Sequence, residues 1–353
     1  MSHRFWSKLV TGLQPYTPGE QPRPGSVIKL NTNENPYPPS ASITRVLAQF
    51  NVDSLRRYPD PESSELVAAL ASRFHLNKDQ VFVGNGSDEV LAHIFQALLK
   101  QDLPILFPDI SYSFYPVYCG LYEIEFEKVP LTSDFCIDIG DYAKPNGGII
   151  LPNPNAPTGI ALDLPSLRQL LSANPDSVVV IDEAYVDFGA DSASQLIDEF
   201  ANLVVVQTFS KSRSLAGIRL GFALAQAELI EALQRVKNSF NSYPVDSLSS
   251  AIALAALADD EYFESCKRLV IADREWLSEE LQSLGFKVYP SSSNFVLVEH
   301  APSSAESIYL ALKAKGLLVR YFKQARIDNC LRITIGNRAE CEALIVAFKE
   351  IVD

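Results

Sequence analysis

The order of elements along the chain predicts an α/β fold: a large domain built on a doubly wound, mainly parallel sheet, followed by a smaller α/β C-terminal domain. Three observations predict it. Apolar runs of strand length alternate with helical patterns. With 353 residues, 47% of them hydrophobic, the chain has enough material for two domains and a sizeable core. Charged and polar clusters follow the apolar runs directly, at the carboxyl ends of strands where sheets of this class bind ligands.

The elements run as follows. Val81-Phe82-Val83 reads as a short strand, Gly84-Asn85-Gly86 as a turn, and Ser87-Asp88 as the cap of a helix through Val90, Leu91, Ile94, Phe95 and Leu98. Pro104 to Phe107 is the next strand. Glu123 to Glu127 alternates polar and apolar, which suggests another. Gly148 to Leu151 follows, then a rigid turn, Pro152-Asn153-Pro154-Asn155-Ala156-Pro157-Thr158-Gly159. Val178 to Ile181 and Leu203 to Val206 complete the parallel set, since both are short and wholly apolar. Helical patterns cover Ala227 to Ser239, Leu248 to Leu257 and Tyr262 to Leu281. Strands are expected at Phe286 to Tyr289, Asn294 to Val298, Leu317 to Arg320 and Leu331 to Ile335. The division this suggests is an arm over residues 1–30, a large domain over 31–245 and a small domain over 246–353. Pro15, Pro18, Pro22 and Pro24 make the arm an extended segment, packed on the body or on a partner subunit.

Bulk properties exclude several classes. A net charge of −13 argues against nucleic acid or an anionic membrane as partner, so an anionic ligand must be held by local arginines and helix ends. No apolar run approaches the ~20 residues of a membrane span. Met1-Ser2-His3-Arg4-Phe5-Trp6 has no apolar signal core, which points to the cytoplasm. The five cysteines contain no CxxC pair, so neither a metal site nor a disulfide frame is expected.

The chemistry gathers at two strand ends. Lys211 lies in Thr208-Phe209-Ser210-Lys211, just past the run Leu203 to Val206, where an amine can be desolvated and made nucleophilic. Arg219 lies eight residues on. Asp182 and Tyr185 follow the run Val178 to Ile181. An amine, a carboxylate, a phenol and a guanidinium on adjacent strand ends are the parts needed to hold and activate pyridoxal phosphate. Taken alone, Asp182 also reads as a helix cap, and Asn155 as a turn asparagine between prolines.

Seven segments carry a resemblance: Leu30 to Pro36, Gly84 to Glu89, Pro152 to Gly159, Asp182 to Tyr185, Ser210-Lys211, Leu215 to Gly221 and Leu331 to Gly336. In order and over nearly the whole chain, they resemble the histidinol-phosphate aminotransferases. These are fold-type-I, class-II aminotransferases dependent on pyridoxal 5'-phosphate. The resemblance implies a homodimeric transaminase of L-histidine biosynthesis. It would interconvert L-histidinol phosphate plus 2-oxoglutarate with imidazole-acetol phosphate plus L-glutamate. It implies that Lys211 carries the cofactor as a Schiff base and then moves protons. Asp182 would pair with the pyridine nitrogen, while Tyr185 and Asn155 would reach the ring oxygen. Gly86, Ser87, Asp88, Ser210 and Arg219 would hold the cofactor phosphate, helped by Tyr58 from the other subunit. Tyr112 would stack on the ring, with Phe114 and Tyr115 close enough in sequence to leave that assignment open. Arg332 and Arg320 would take the substrate phosphate. Tyr16 would close over the site, and Asn35 and Asn33 would order the entry loop or touch substrate. Ser212 and Arg213 depart from the small residue and aromatic usual after the lysine, placing an extra cation near the cofactor phosphate or the cleft wall. Two other readings keep the fold: an aromatic or broad-range aminotransferase, and a decarboxylase using the same cofactor.

Overall fold

Wholly apolar runs of four to six residues can only be satisfied as strands covered on both faces, and the chain stacks them that way. The computed structural model describes residues 4–17, 19–22 and 27–352. Pro18, Pro24 and the segment Met1 to His3, on which the arm and export expectations partly rest, lie outside the described residues. Thirteen short strands follow in chain order among the described residues. They are β1 (Ile28–Lys29), β2 (Val81–Gly84), β3 (Ile105–Pro108), β4 (Phe126–Val129), β5 (Ile149–Pro152), β6 (Val179–Asp182), β7 (Leu203–Thr208), β8 (Gly221–Ala225), β9 (Lys287–Val288), β10 (Phe295–Glu299), β11 (Leu317–Leu318), β12 (Arg320–Tyr321) and β13 (Cys330–Thr334).

Strands β2 to β8 form one sheet in the order β2-β8-β7-β6-β5-β3-β4. The run from β4 to β7 is parallel, while β8 lies antiparallel between β2 and β7. Sequence reading did not find β8, because Gly221-Phe222-Ala223-Leu224-Ala225 is poor in the β-branched residues that mark strands. Strand β4 starts later than expected: helix Tyr115–Tyr122 ends on Glu123 in the left-handed region at φ 56°, and pairing begins only at Phe126. One face of the sheet packs on Leu66, Leu70, Leu167 and Leu171, the other on Val90, Ile94, Phe95 and Leu233.

The small domain is a four-stranded antiparallel sheet, β12-β13-β10-β9, covered by helices Asp260–Ser283, Ala305–Ala314 and Arg338–Val352. The expected strand Leu317 to Arg320 breaks at Val319. Its first half pairs in parallel with β1 and its second half with β13. The arm thus ends in the small domain, where Leu30 joins the core. The changeover between cores falls later than residue 246. Val245, Ile252, Ala253 and Ala256 pack with the large-domain cluster, because helix Ser247–Leu257 is apolar on nearly every side.

Strand β2 delivers the chain into helix Gly86–Ala97 through a tight turn, and neighbouring β8 must begin directly against that helix end. A Cβ on Gly221 would stand 2.3 Å from the Ser87 backbone nitrogen, well inside contact distance. Gly221→Ala is therefore expected to lower unfolding free energy by about 1–3 kcal/mol, the cost of overpacking a rigid site. Urea unfolding of the two proteins checks it; an unchanged midpoint would refute the constraint.

Candidate active site

A cleft of about 860 Å³ opens where the carboxyl ends of the parallel strands meet the small-domain sheet. Strand β6 ends at Asp182, which is 5% exposed. Its carboxylate accepts a hydrogen bond of 2.9 Å from the Tyr115 hydroxyl and one of 3.3 Å from the Ala184 N–H. No lysine, arginine or histidine pairs with it among the described residues. Burial pushes its pKa up to about 6, against the pull of the two hydrogen bonds. The next residue, Glu183, turns the other way. It accepts from Ser192, the Ala193 N–H and Gln207, and burial raises it to about 7.

Lys211 follows β7. Its Nζ donates to the Thr32 carbonyl at 3.1 Å and lies 5.8 Å from the centre of the Tyr185 ring. The Tyr185 hydroxyl accepts from Asn33 Nδ2 at 2.9 Å. Ser210 accepts from the Thr208 hydroxyl at 3.0 Å, which leaves its own O–H free to donate. Helix Gly86–Ala97 starts with Gly86 at φ +83° and points its first turn, Ser87 and Asp88, into the cleft. The first N–H groups of a helix have no intrahelical acceptor, and the dipole adds partial positive charge there. Arg219 comes up beneath this turn and reaches Asp88 Oδ2 at 3.0 Å, so close that a Cβ on Gly86 would meet its Nη2 at 2.7 Å. Tyr112 donates to the other oxygen of Asp88 at 3.1 Å.

The opposite wall is cationic. Arg320 on β12 and Arg332 on β13 are direct cross-strand partners, and both line the cleft. Arg332 donates to the Asn31 carbonyl at 2.8 Å, while its buried Nε has no hydrogen-bond partner among the described residues. Burial, and then the neighbouring Arg320, lower its pKa from the usual guanidinium value. Neither arginine has a carboxylate partner among the described residues. Like charges directly opposite each other destabilise a sheet. Two unpaired guanidiniums facing a cleft are an anion site in waiting. Tyr16 packs on Phe114 at 5.0 Å between ring centres and closes the rim.

The aminotransferase class I and II family matches residues 25–348. The chain belongs to that family. It is 56% identical to "histidinol-phosphate aminotransferase 2" of Dechloromonas aromatica, over 99% of both chains. It is 57% identical to "histidinol-phosphate aminotransferase 1" of Bordetella parapertussis, again over 99% of both. Its fold matches the solved histidinol-phosphate aminotransferase of Sinorhizobium meliloti in complex with pyridoxal-5'-phosphate. The TM-score is 0.88, over 100% of this chain and 98% of that one, at 24% identity.

Most residues expected at the site of this aminotransferase meet in the cleft, but five lie elsewhere. Gly86 is buried behind Ser87 and sets the turn rather than the wall. Asn155 is 1% exposed and spends both amide hydrogens on the Ile110 carbonyl and Thr158, so it does not face the cleft. Asn35 sits behind Lys211 and donates to the carbonyls of Lys211 and Ser212, bracing the lysine loop instead of touching the cleft. Tyr58 is 81% exposed and stacks on Tyr243, outside its own cleft. Arg213 turns away to the Ala256 carbonyl and the Phe263 ring, lining a separate cavity of about 710 Å³. It is therefore no part of the cofactor or cleft wall. Tyr115 was named only as a rival to Tyr112; nothing in the sequence could align its hydroxyl with a carboxylate 67 positions away.

The unpaired Asp182 generates a pH prediction. Its folded pKa lies above the ordinary carboxylate value of 3.8, so its contribution to stability is fully present below about pH 4 and lost as pH rises through about 6. At ~1.36 kcal/mol per unit, the loss is of order 3 kcal/mol. In cofactor-free protein, Asp182→Asn should therefore gain stability relative to the parent across that window. Urea unfolding at several pH values measures it, and a pH-independent difference would sink the assignment.

Proposed function

We propose that this aminotransferase binds pyridoxal 5'-phosphate through Lys211 and exchanges the amino group between L-histidinol phosphate and 2-oxoglutarate, yielding imidazole-acetol phosphate and L-glutamate in histidine biosynthesis. The residues present fit that cofactor. A buried carboxylate without a cation suits a protonated pyridine nitrogen, and the open helix turn at Ser87, with Ser210 and Arg219, suits a phosphate. When bound, the cofactor supplies an electron sink for the bond broken at the substrate carbon.

The protein does the rest. Asp182 holds the ring nitrogen in its protonated form, because taking up that cation relieves its own burial. Tyr112 and Tyr185 both line the cleft and would hold the ring between them, with the Tyr185 hydroxyl donating to the ring oxygen. Once the Lys211 amine is free, it moves a proton to or from the substrate carbon. Its hydrogen bond to the Thr32 carbonyl gives it a second resting place. Arg320 and Arg332 bind the substrate's distal anion and so place the reacting carbon over the ring.

The observation that carries the substrate assignment is the cross-strand arginine pair. Two facing guanidiniums repel each other until a dianion sits between them, and a phosphate monoester offers that charge where a single carboxylate does not. The names of two relatives more than half identical to this chain point the same way. Arg320→Gln is expected to raise KM for histidinol phosphate about ten- to a hundredfold. It should leave KM for unphosphorylated histidinol nearly unchanged. Equal effects on both amines would leave the phosphate without its proposed receptor.

A second copy of the chain completes the site in this reading. Tyr58 is exposed, stacks on Tyr243 and does not line its own cleft, and it would reach the cofactor phosphate of a partner. Lys211→Ala and Tyr58→Ala proteins, each nearly inactive alone, should regain activity when unfolded together and refolded, since hybrid dimers contain one intact site. No recovery in hybrids of confirmed composition would rule out a contribution in trans.

A further inference from the structure

One hydrogen-bond chain runs from the anion-binding strand to Tyr185, and its polarity is fixed at the far end. The Asn33 N–H donates to Thr334 Oγ1 at 2.9 Å. A backbone N–H can only donate, so the threonine hydroxyl must send its own hydrogen elsewhere. It goes to Asn33 Oδ1, at 3.0 Å. That fixes the amide, turning Nδ2 towards the Tyr185 oxygen at 2.9 Å. The tyrosine oxygen is thereby an acceptor on its protein side, and its hydrogen is left to point into the cleft. Asn33 and Thr334 are each 1% exposed, so water does not compete for these groups. Asn33 holds φ +57°, a left-handed conformation that asparagine tolerates better than most residues. Asn294 Nδ2 anchors its carbonyl at 3.0 Å. Thr334 stands two residues from Arg332 on β13, and Arg332 grips the Asn31 carbonyl of the same crossing segment.

We propose that Thr334 and Asn33 are positioning residues that force the Tyr185 hydroxyl to donate into the cleft. Neither touches the reacting atoms. Their role is to prevent the tyrosine from donating back into the protein, which would withdraw its hydrogen bond from an anionic oxygen in the cleft. This rests on the cofactor reading above, in which that oxygen belongs to the ring. A lost donor leaves the oxygen and its neighbourhood more basic.

The test is the pH transition of the holoenzyme's visible band. Thr334→Val keeps the shape of the side chain and removes the hydroxyl. The transition should move up by about one pH unit, the worth of one hydrogen bond to a charged group. Tyr185→Phe should move it by at least as much, and the double variant by no more than Tyr185→Phe alone. Thr334→Ser should keep the parental value, which a purely steric role would not predict. Asn33→Asp tolerates the same backbone angle, replaces the Nδ2 donor with an acceptor oxygen to which Tyr185 can donate, and gives the same upward reading should the valine variant fail to fold. A normal band with an unmoved transition in the variants, or additive shifts in the double variant, overturns the proposal. A parent with no such band, and no borohydride-trapped adduct on Lys211, overturns the cofactor reading itself.

Discussion

The charges in the cleft are arranged to be incomplete. Asp182 is carried by a strand buried on both faces to a place where, among the described residues, no cation pairs with it, and burial, with a smaller push from Asp88, lifts its pKa to about 6. Across the cleft, two arginines oppose each other on paired strands, and neither has a carboxylate partner among the described residues. The helix beginning at Gly86 adds unsatisfied N–H groups between these walls. Each feature is unfavourable in the protein by itself, and each is relieved by a ligand group of opposite charge. A sheet whose strands run parallel makes this possible, because it brings several strand ends to one side while hydrophobic packing elsewhere holds them there.

A second constraint keeps those walls in register. Residues 31 to 35 cross between the two domains and bond to Arg332, Lys211 and Tyr185. The Asn31 carbonyl receives Arg332, the Thr32 carbonyl receives Lys211, Asn33 reaches both Tyr185 and Thr334, and Asn35 braces the loop behind Lys211. The strap begins at β1, which is paired to the small domain through β11. The sheet that carries Arg320 and Arg332 is thus tied through one segment to the lysine and tyrosine of the large domain. Glu183 supplies stiffness from the other face, where its three hydrogen bonds hold the loop at Ser192 and Ala193 against β7.

Much of this was legible in the residues. Short apolar runs ending in Asp182 and ahead of Lys211 have one economical solution, adjacent buried parallel strands with polar tips. Arg320 and Arg332 could be singled out, but their pairing could not, because the break at Val319 that splits β11 from β12 leaves no local signal. Strand β8 was hidden by its Gly and Ala content, although Gly221 is small for a tertiary reason, the close approach of Ser87. Asn155 and Asn35 carried motif positions, and their amides serve backbone carbonyls and the Thr158 hydroxyl instead of the cleft.

The sequence by itself determined the fold class, the strand ends that carry chemistry, and the identity of the amine, carboxylate, phenol and guanidiniums. Periodicity and composition act over a few residues, and those features are local. Tertiary structure alone decided which hydroxyl meets Asp182, which way Arg213 turns, and how Thr334 comes to face Asn33 from 301 positions away. Hydrogen-bond direction between residues so distant depends on the meeting of two domains, and no local pattern in the chain encodes it.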